Sequence, residues 1–334
     1  MKIEPNKRFV LDPLRICNLR CRCCYYIQSC DKWNEYNKPL AWCKNIINLG
    51  KMRGNDAMCI TGGEPTMYKY LTECIDYAHA QGLKVEIITN GVVTKSKADK
   101  LIKHKLDEIL ITRNGLKDAH NYMCNNNTAY QRQVKFINQI KKSKIKLRFN
   151  VVITKFNQDD LLRIVKELNK YNPIMINFIN MNLHHEWKHD DLNAKKVIAN
   201  LKIVEPILNE TIEYLESKKI GIAVRYYPMC RIAEKNRKYI VNDLQVSYDP
   251  WEWDYPRSPK TIEHYRQYSV NELTNKIEEK GEPCCDCDLQ WICGGIHSQY
   301  HIVSREIFGE ICEAQKLDFS PYEKYDEFYY MRQK

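Results

Sequence analysis

The chain has 334 residues, 52 Lys and Arg against 42 Asp and Glu, a formal net charge of +10, and 15 cysteines. That length supports two ordinary domains or one enlarged α/β barrel with an appendage, and the high, odd cysteine count argues for a reducing compartment and against a disulfide framework. Residues 1–8 lack the apolar core of a signal peptide and no stretch approaches the roughly 18 apolar residues of a membrane span, so a soluble cytoplasmic protein with no membrane partner is expected.

Phe9–Ile16 reads as a short strand that delivers a cysteine loop, with Cys17, Cys21 and Cys24 separated by three and then two residues. Close thiols in a chain without a secretion signal point to metal or redox chemistry. A cubane cluster normally takes four thiolates, so three leave one iron open to another ligand. The loop resembles the CxxxCxxC hallmark of the radical S-adenosylmethionine enzymes, which follows their first barrel strand. The resemblance implies a [4Fe–4S] cluster on Cys17, Cys21 and Cys24, with the amino and carboxylate groups of S-adenosylmethionine on the open iron. Where the family usually has an aromatic residue before the third cysteine, this chain has Cys23, followed by Tyr25 and Tyr26. Cys23 is a spectator or a substitute ligand; only Cys24 keeps the family spacing.

Leu40–Met52 has helical spacing, which makes Cys43 a small buried residue. Ala57–Thr61 is an apolar run of strand length that ends at Gly62-Gly63-Glu64-Pro65. Alone that is a turn. After a CxxxCxxC loop it resembles the family's GGEP motif, which implies that Gly62, Gly63, Glu64 and Pro65 hold the amino group of the cosubstrate. Tyr68–Gln81 is a helix stopped by Gly82. Lys84–Thr89 is the third strand, and its Asn90-Gly91 end is both a common turn dipeptide and a likeness of the family's TNG strand end facing the cofactor. Ser96–His104 is helical and Glu108–Thr112 is the fourth strand. Family members often carry Ser-x-Asp-Gly there, reaching the ribose or methionine carboxylate; Thr112 and Asn114 hold those positions here, an amide replacing the carboxylate. His120, in a loop leading into the next helix, reads as structural.

Ala129–Ile140 is helical. The lysine run from Lys141 to Lys146 reads as a solvated helix end or a phosphate patch, and since lysines are otherwise scattered among acidic residues, a nucleic-acid partner is disfavoured. Lys146–Thr154 is the fifth strand; Asn150 within it needs a partner if buried, and the resemblance makes it a cofactor contact. Asp159–Lys170 is an amphipathic helix and Pro173–Asn180 the sixth strand. Strands alternating with helices imply an α/β fold with a right-handed parallel sheet, and the family's version is a partial (βα)6 TIM-like barrel. Active sites of parallel barrels gather at the C-terminal strand ends. Cys17–Cys24, Gly62–Pro65, Asn90, Thr112, Asn114 and Asn180 all fall there. His184-His185 reads as a substrate-facing loop, Asn193–Lys219 as one long helix or two meeting near Pro206, and Ile220–Tyr227 as a seventh strand carrying Arg225. Cys230, just beyond, is a cluster ligand, a core thiol or a hydrogen-atom donor to a substrate radical.

The barrel with its connecting helix is assigned to residues 1–227 and an appended region to 228–334. Val246–Tyr255 is aromatic and acidic, suited to the barrel mouth or to a surface loop. Cys284, Cys287, Cys293 and Cys312 form a second cysteine set, resembling the SPASM or twitch extensions that hold auxiliary [4Fe–4S] clusters. The family's last CxxCxxxxxCxxxC cysteine is His297 here, which implies one auxiliary cluster on those four. A zinc site on Cys284, Cys287, His297 and His301 is the rival, and leaves Cys293 and Cys312 without a role. The resemblance further implies reductive cleavage of S-adenosylmethionine, a 5′-deoxyadenosyl radical that abstracts hydrogen from an unactivated carbon, oxidation or epimerisation of the product, and a reductant such as flavodoxin or ferredoxin. Many peptide maturases carry a leader-binding domain ahead of the barrel; a cluster motif starting at residue 17 leads us to expect its absence and a sugar or other small polar metabolite as substrate. A peptide or protein substrate, a nucleic-acid substrate, and a non-catalytic iron–sulfur or zinc protein are the alternatives.

Overall fold

The computed structural model describes residues 8–24, 37–181, 196–240, 253–256, 265–268, 278–280, 282–290, 293–297 and 315. Seven strands, β1 (Arg8–Leu11), β2 (Ala57–Ile60), β3 (Lys84–Thr89), β4 (Glu108–Thr112), β5 (Lys146–Ile153), β6 (Met175–Asn180) and β7 (Gly221–Arg225), lie in chain order in one parallel sheet. Helices α1 (Leu40–Met52), α2 (Leu71–Ala80), α3 (Lys95–Lys103), α4 (Lys117–Met123), α5 (Ala129–Ile140), α6 (Leu161–Asn169) and α7 (Leu201–Ser217) fill the crossovers. The parallel sheet expected from the alternation of strands and helices is present, with the strand order of the partial TIM-like barrel that the resemblance implies. No helix among the described residues is long and apolar enough to cross a membrane.

Alternation along the strands decides which face each residue serves. Phe9, Leu11, Met58, Ile60, Val85, Ile87, Ile109, Ile111, Leu147, Phe149, Ile176 and Phe178 join the helices' apolar residues in one buried cluster. The residues between them, Arg8, Cys59, Glu86, Glu108, Arg148, Asn150 and Asn177, therefore share the concave face. Parallel strands are usually apolar on both faces; this sheet is apolar toward the helices and polar toward the interior.

Local differences from the sequence reading have local causes. β1 stops at Leu11 because Pro13 has no N–H to continue the ladder, and Leu14 instead bridges Asn37. α4 occupies a stretch expected as loop; it is only seven residues long and runs into Asn125-Asn126-Asn127. α7 is one helix through Pro206, with the Asn200 side chain capping the N–H of Lys202. Pro206 lies in its second turn, so the carbonyl of Lys202 alone loses its usual donor. Beyond the barrel, β8 (Trp253–Pro256) pairs antiparallel with β9 (Tyr265–Tyr268), and β10 (Glu278–Glu279) with β11 (Ile296–His297). Cys287 and Leu289 are buried in the same apolar cluster as the barrel strands. The His184-His185 reading, residues 246–252 of the Val246–Tyr255 reading, Cys312 and His301 lie outside the described residues.

Candidate functional site

The cysteine loop is fixed to the strand ends by its main chain. Gly63 N–H donates to the Leu14 carbonyl and Glu64 N–H to that of Ile16, each at 2.9 Å. A Cβ on Gly63 would lie 2.2 Å from the Ile16 carbonyl oxygen, and one on Gly62, whose φ is +124°, 2.3 Å from that of Leu14. Both glycines are thus required by the approach of the segment that carries Cys17. Glu64 is fully buried, and its carboxylate accepts from Thr66 N–H (3.0 Å), Thr66 Oγ1 (2.7 Å), Thr89 Oγ1 (2.8 Å) and Asn90 N–H (2.9 Å). Burial nevertheless raises its pKa, because all four donors are neutral. Pro65 opens the short turn that follows. The GGEP segment therefore ties β1, β2 and β3 together at one end of the barrel.

Asn90 continues that tie. Its Nδ2 donates to Asn18 Oδ1 at 2.8 Å and approaches Cys17 Sγ at 3.7 Å, and Asn18 Nδ2 donates to the Val92 carbonyl. Gln133 on α5 spans the next gap, with Nε2 donating to the carbonyls of Asn90 (2.7 Å) and Thr112 (2.8 Å). Gln133 is in turn held by Arg113, which is fully buried, donates to Gln133 Oε1 and Glu167 Oε1, and stacks on Tyr130.

Within the loop, Cys24 N–H closes a turn onto the Cys21 carbonyl, and Leu19 N–H points at Cys17 Sγ at 3.4 Å. Cys17 and Cys21 pack against Leu19, Val92, Cys124 and Ala129, whereas Cys23 packs against the main barrel core. Burial, then Cys24 and Cys124, push the Cys23 thiol well up. Arg22 clamps the loop to the end of α4: its N–H donates to the Met123 carbonyl, Nε to that of Tyr122, and its guanidinium lies 4.3 Å from the Tyr122 ring centre. The neighbouring Cys21 thiol, then His120, draw the Cys124 thiol down to about 5 against its burial. Cys124, Gln133 and Arg113 were not singled out from sequence, and His120 was read as structural.

Thr112, Asn150 and Asn177 stand in one row across β4, β5 and β6. Asn177 Nδ2 donates to Asn150 Oδ1 at 2.9 Å, and Asn180 Nδ2 to the Tyr226 carbonyl. Among the described residues, the buried Asn114 Oδ1, Asn177 Oδ1 and Arg148 Nε have no hydrogen-bond partner. Orphaned buried polar atoms are costly unless a ligand or water meets them, and these three belong to residues at or near the concave face. Deeper in, Arg148 Nη1 bridges Glu86 (2.7 Å) and Glu108 (2.6 Å), Arg8 Nη1 reaches Glu86 at 3.1 Å, and Cys59 Sγ donates to Glu86 Oε1.

A second group of thiols gathers past β7. Cys293 feels the thiols of both Cys230 and Cys284, and its sulfur accepts from the N–H groups of Met229 and Gly295. Burial pushes it up to about 11 against those two donors. Cys287 Sγ accepts from Gln315 N–H, and Cys287 N–H turns back onto the Cys284 carbonyl. Among the described residues no three Cys, His, Asp or Glu side chains converge as ligands of a single ion would. Cubane thiolates sit on separate irons, so spread sulfurs that already accept backbone N–H bonds fit a cluster better than a mononuclear centre.

The chain is 26% identical over 220 residues to a GTP 3′,8-cyclase of Helicobacter pylori, covering 63% of this chain and 66% of that protein. It is 30% identical over 162 residues to an S-adenosylmethionine-dependent nucleotide dehydratase of Selenomonas ruminantium, covering 45% of this chain and 57% of that one. In both cases the match spans less than two thirds of the relative's length. Among solved structures, anSMEcpe with bound AdoMet superposes with a TM-score of 0.61 at 16% identity, covering 98% of this chain and 96% of that one, a likeness of fold. Residues 11–168, which carry the cysteine loop and the strand ends it docks on, match the family model described as the Radical SAM superfamily.

Proposed function

We propose that the chain binds a [4Fe–4S] cluster through Cys17, Cys21 and Cys24, takes S-adenosylmethionine at the C-terminal strand ends, and removes hydrogen from a C–H bond of a small polar, sugar-bearing metabolite. The observation that carries this reading is the docking of the three-cysteine loop, through Gly63, Glu64 and Asn90, onto the ends of β2 and β3. Cluster and cosubstrate, when bound, supply the electron and the radical that make an unactivated C–H reactive. The chain's residues orient and shield. Cys17 is offered donors by Leu19 N–H and Asn90 Nδ2, which suit a thiolate ligand. Cys24 keeps the spacing, and the packing of Cys23 on the main core favours Cys23 as a spectator.

For the cosubstrate and substrate, Asn114, Asn150 and Asn177 offer amide groups over a floor of paired charges. Neutral amides can accept and donate to hydroxyls without the desolvation cost of an unpaired charge. That preference, and the nucleotide substrates in the names of both relatives, support a sugar-bearing small molecule. For the second thiol group we infer an auxiliary cluster on Cys284, Cys287 and Cys293, with Cys230 placed to join them by its proximity to Cys293. This favours ligation by Cys230 over hydrogen-atom donation.

The test is anaerobic reconstitution followed by dithionite and S-adenosylmethionine, with 5′-deoxyadenosine as readout. Its formation by the wild type and loss in Cys21→Ala are expected; equal formation by both would overturn the assignment. Deuterium passing from labelled sugars or nucleotides, and not peptides, into 5′-deoxyadenosine tests the substrate class.

A further inference from the structure

Arg237 lies in the short helical turn Glu234–Tyr239 that follows β7, and it is 4% exposed. The turn is rooted on the barrel: Asn209 Oδ1 on α7 accepts from Ala233 N–H at 3.0 Å and from Asn236 Nδ2 at 2.8 Å, and Ile240 bridges Val224 of β7. Its exposed lysines pair with carboxylates of α7, Lys235 with Glu213 at 2.6 Å and Lys238 with Glu216 at 2.8 Å. Arg237 reaches instead for the second group of thiols. Its Nε donates to the carbonyl of Met229, the residue before Cys230, at 3.2 Å, and its Nη2 to Gln315 Oε1 at 2.7 Å. Gln315 N–H in turn donates to Cys287 Sγ at 3.4 Å, and the Gln315 carbonyl accepts from Asp288 N–H.

Both partners of this guanidinium are neutral oxygens, no carboxylate among the described residues pairs with it, and its Nη1 is buried without a hydrogen-bond partner. A guanidinium carries a permanent charge, and a buried charge met only by neutral groups is costly. Neutral thiols nearby do not offset that cost. Thiolates on an iron–sulfur cluster do, because they have lost their protons and the assembly is anionic. We propose that Arg237 is a positioning residue for an anionic iron–sulfur cluster on Cys284, Cys287, Cys293 and Cys230, supplying its buried countercharge and tying the segment that carries Cys230 to the one that carries Cys287. The proposal rests on the reading of these thiols as an auxiliary-cluster site. Opposite charges attract far more strongly in a buried, low-dielectric setting than in water, so this single charge bears on whether the cluster is retained. The first cysteine loop, docked on β2 and β3, is independent of it.

The experiment is anaerobic reconstitution of wild type, Arg237→Gln, Arg237→Lys and Cys293→Ala, with iron, sulfide and zinc measured beside the electron paramagnetic resonance of the reduced protein. The signal that changes when S-adenosylmethionine is added reports the first loop, and the signal that does not reports the second site. Arg237→Gln keeps hydrogen-bonding atoms without the charge; it is expected to lose about half of the iron and the second signal, with the first unchanged. Arg237→Lys keeps the charge and should retain most of both. Wild-type iron and second signal in Arg237→Gln overturn the countercharge, and so does a folded Arg237→Lys without the second cluster, which decides the matter should Arg237→Gln not fold. A Cys293→Ala that loses no iron, or a wild type that takes zinc there, would remove the auxiliary-cluster reading first, and the role of Arg237 with it.

Discussion

Glu64 and Glu86 are both buried carboxylates at the barrel, and they are neutralised in opposite ways. Glu64, near the mouth, is met by four neutral donors and its pKa rises through burial. Burial would raise Glu86 too, but Arg8 and Arg148 outweigh it and hold that carboxyl below its ordinary range. The floor carboxylate is thus locked by paired charges, whereas Glu64 at the mouth is held by neutral hydrogen bonds.

The contrast can be broken at either end. The largest effect is expected for Glu86→Ala, which removes the buried carboxylate shared by Arg8 and Arg148, leaves Glu108 as the carboxylate on Arg148, and should cost about 3–5 kcal/mol in denaturant unfolding. Gly63→Ala comes next: its Cβ would meet the Ile16 carbonyl, and roughly 3 kcal/mol of stability, together with iron uptake, should be lost. Glu64→Gln replaces an acceptor oxygen by an amide facing donors, for about 2 kcal/mol, with weakened retention of the cysteine loop seen as faster proteolysis within residues 17–24. Smallest is the pH dependence. Glu86 contributes stability that is present above its ordinary pKa of 4.5 and is lost as pH falls through its lower folded value. Glu64 works the other way: its folded pKa is raised, so stability declines as pH climbs from 4.5 toward that value. Thermal melts of Glu86→Gln should be less acid-sensitive than wild type, and those of Glu64→Gln should lose the decline above 4.5.

Much of the barrel was legible because several strands are short, mostly apolar runs closed by Gly, Asn or Pro, as in Ala57–Thr61 before Gly62. The cysteine loop was legible because its ligand spacing is itself the signal. What the sequence hid is what only folding brings together. His120 lies in a helix of about two turns and Cys124 just past its end, and their approach to the cysteine loop appears only once residue 22 docks there. The floor charges Arg8, Glu86, Glu108 and Arg148 each look like a solvent-facing residue in an alternating strand; that they face one another follows from the closing curvature of the sheet, which spacing does not report. Asn150 was noticed because an amide within an apolar strand stands out, while Asn177, one strand over, was not.

Gln133 gives the outer surface a view of the mouth. One side-chain amide, rooted on α5, grips the carbonyls that close β3 and β4. Any ligand that tightens those two strand ends must therefore also quieten a solvent-facing helix. Slower deuterium uptake along residues 129–140 would report occupancy from outside, without a probe ever entering the barrel.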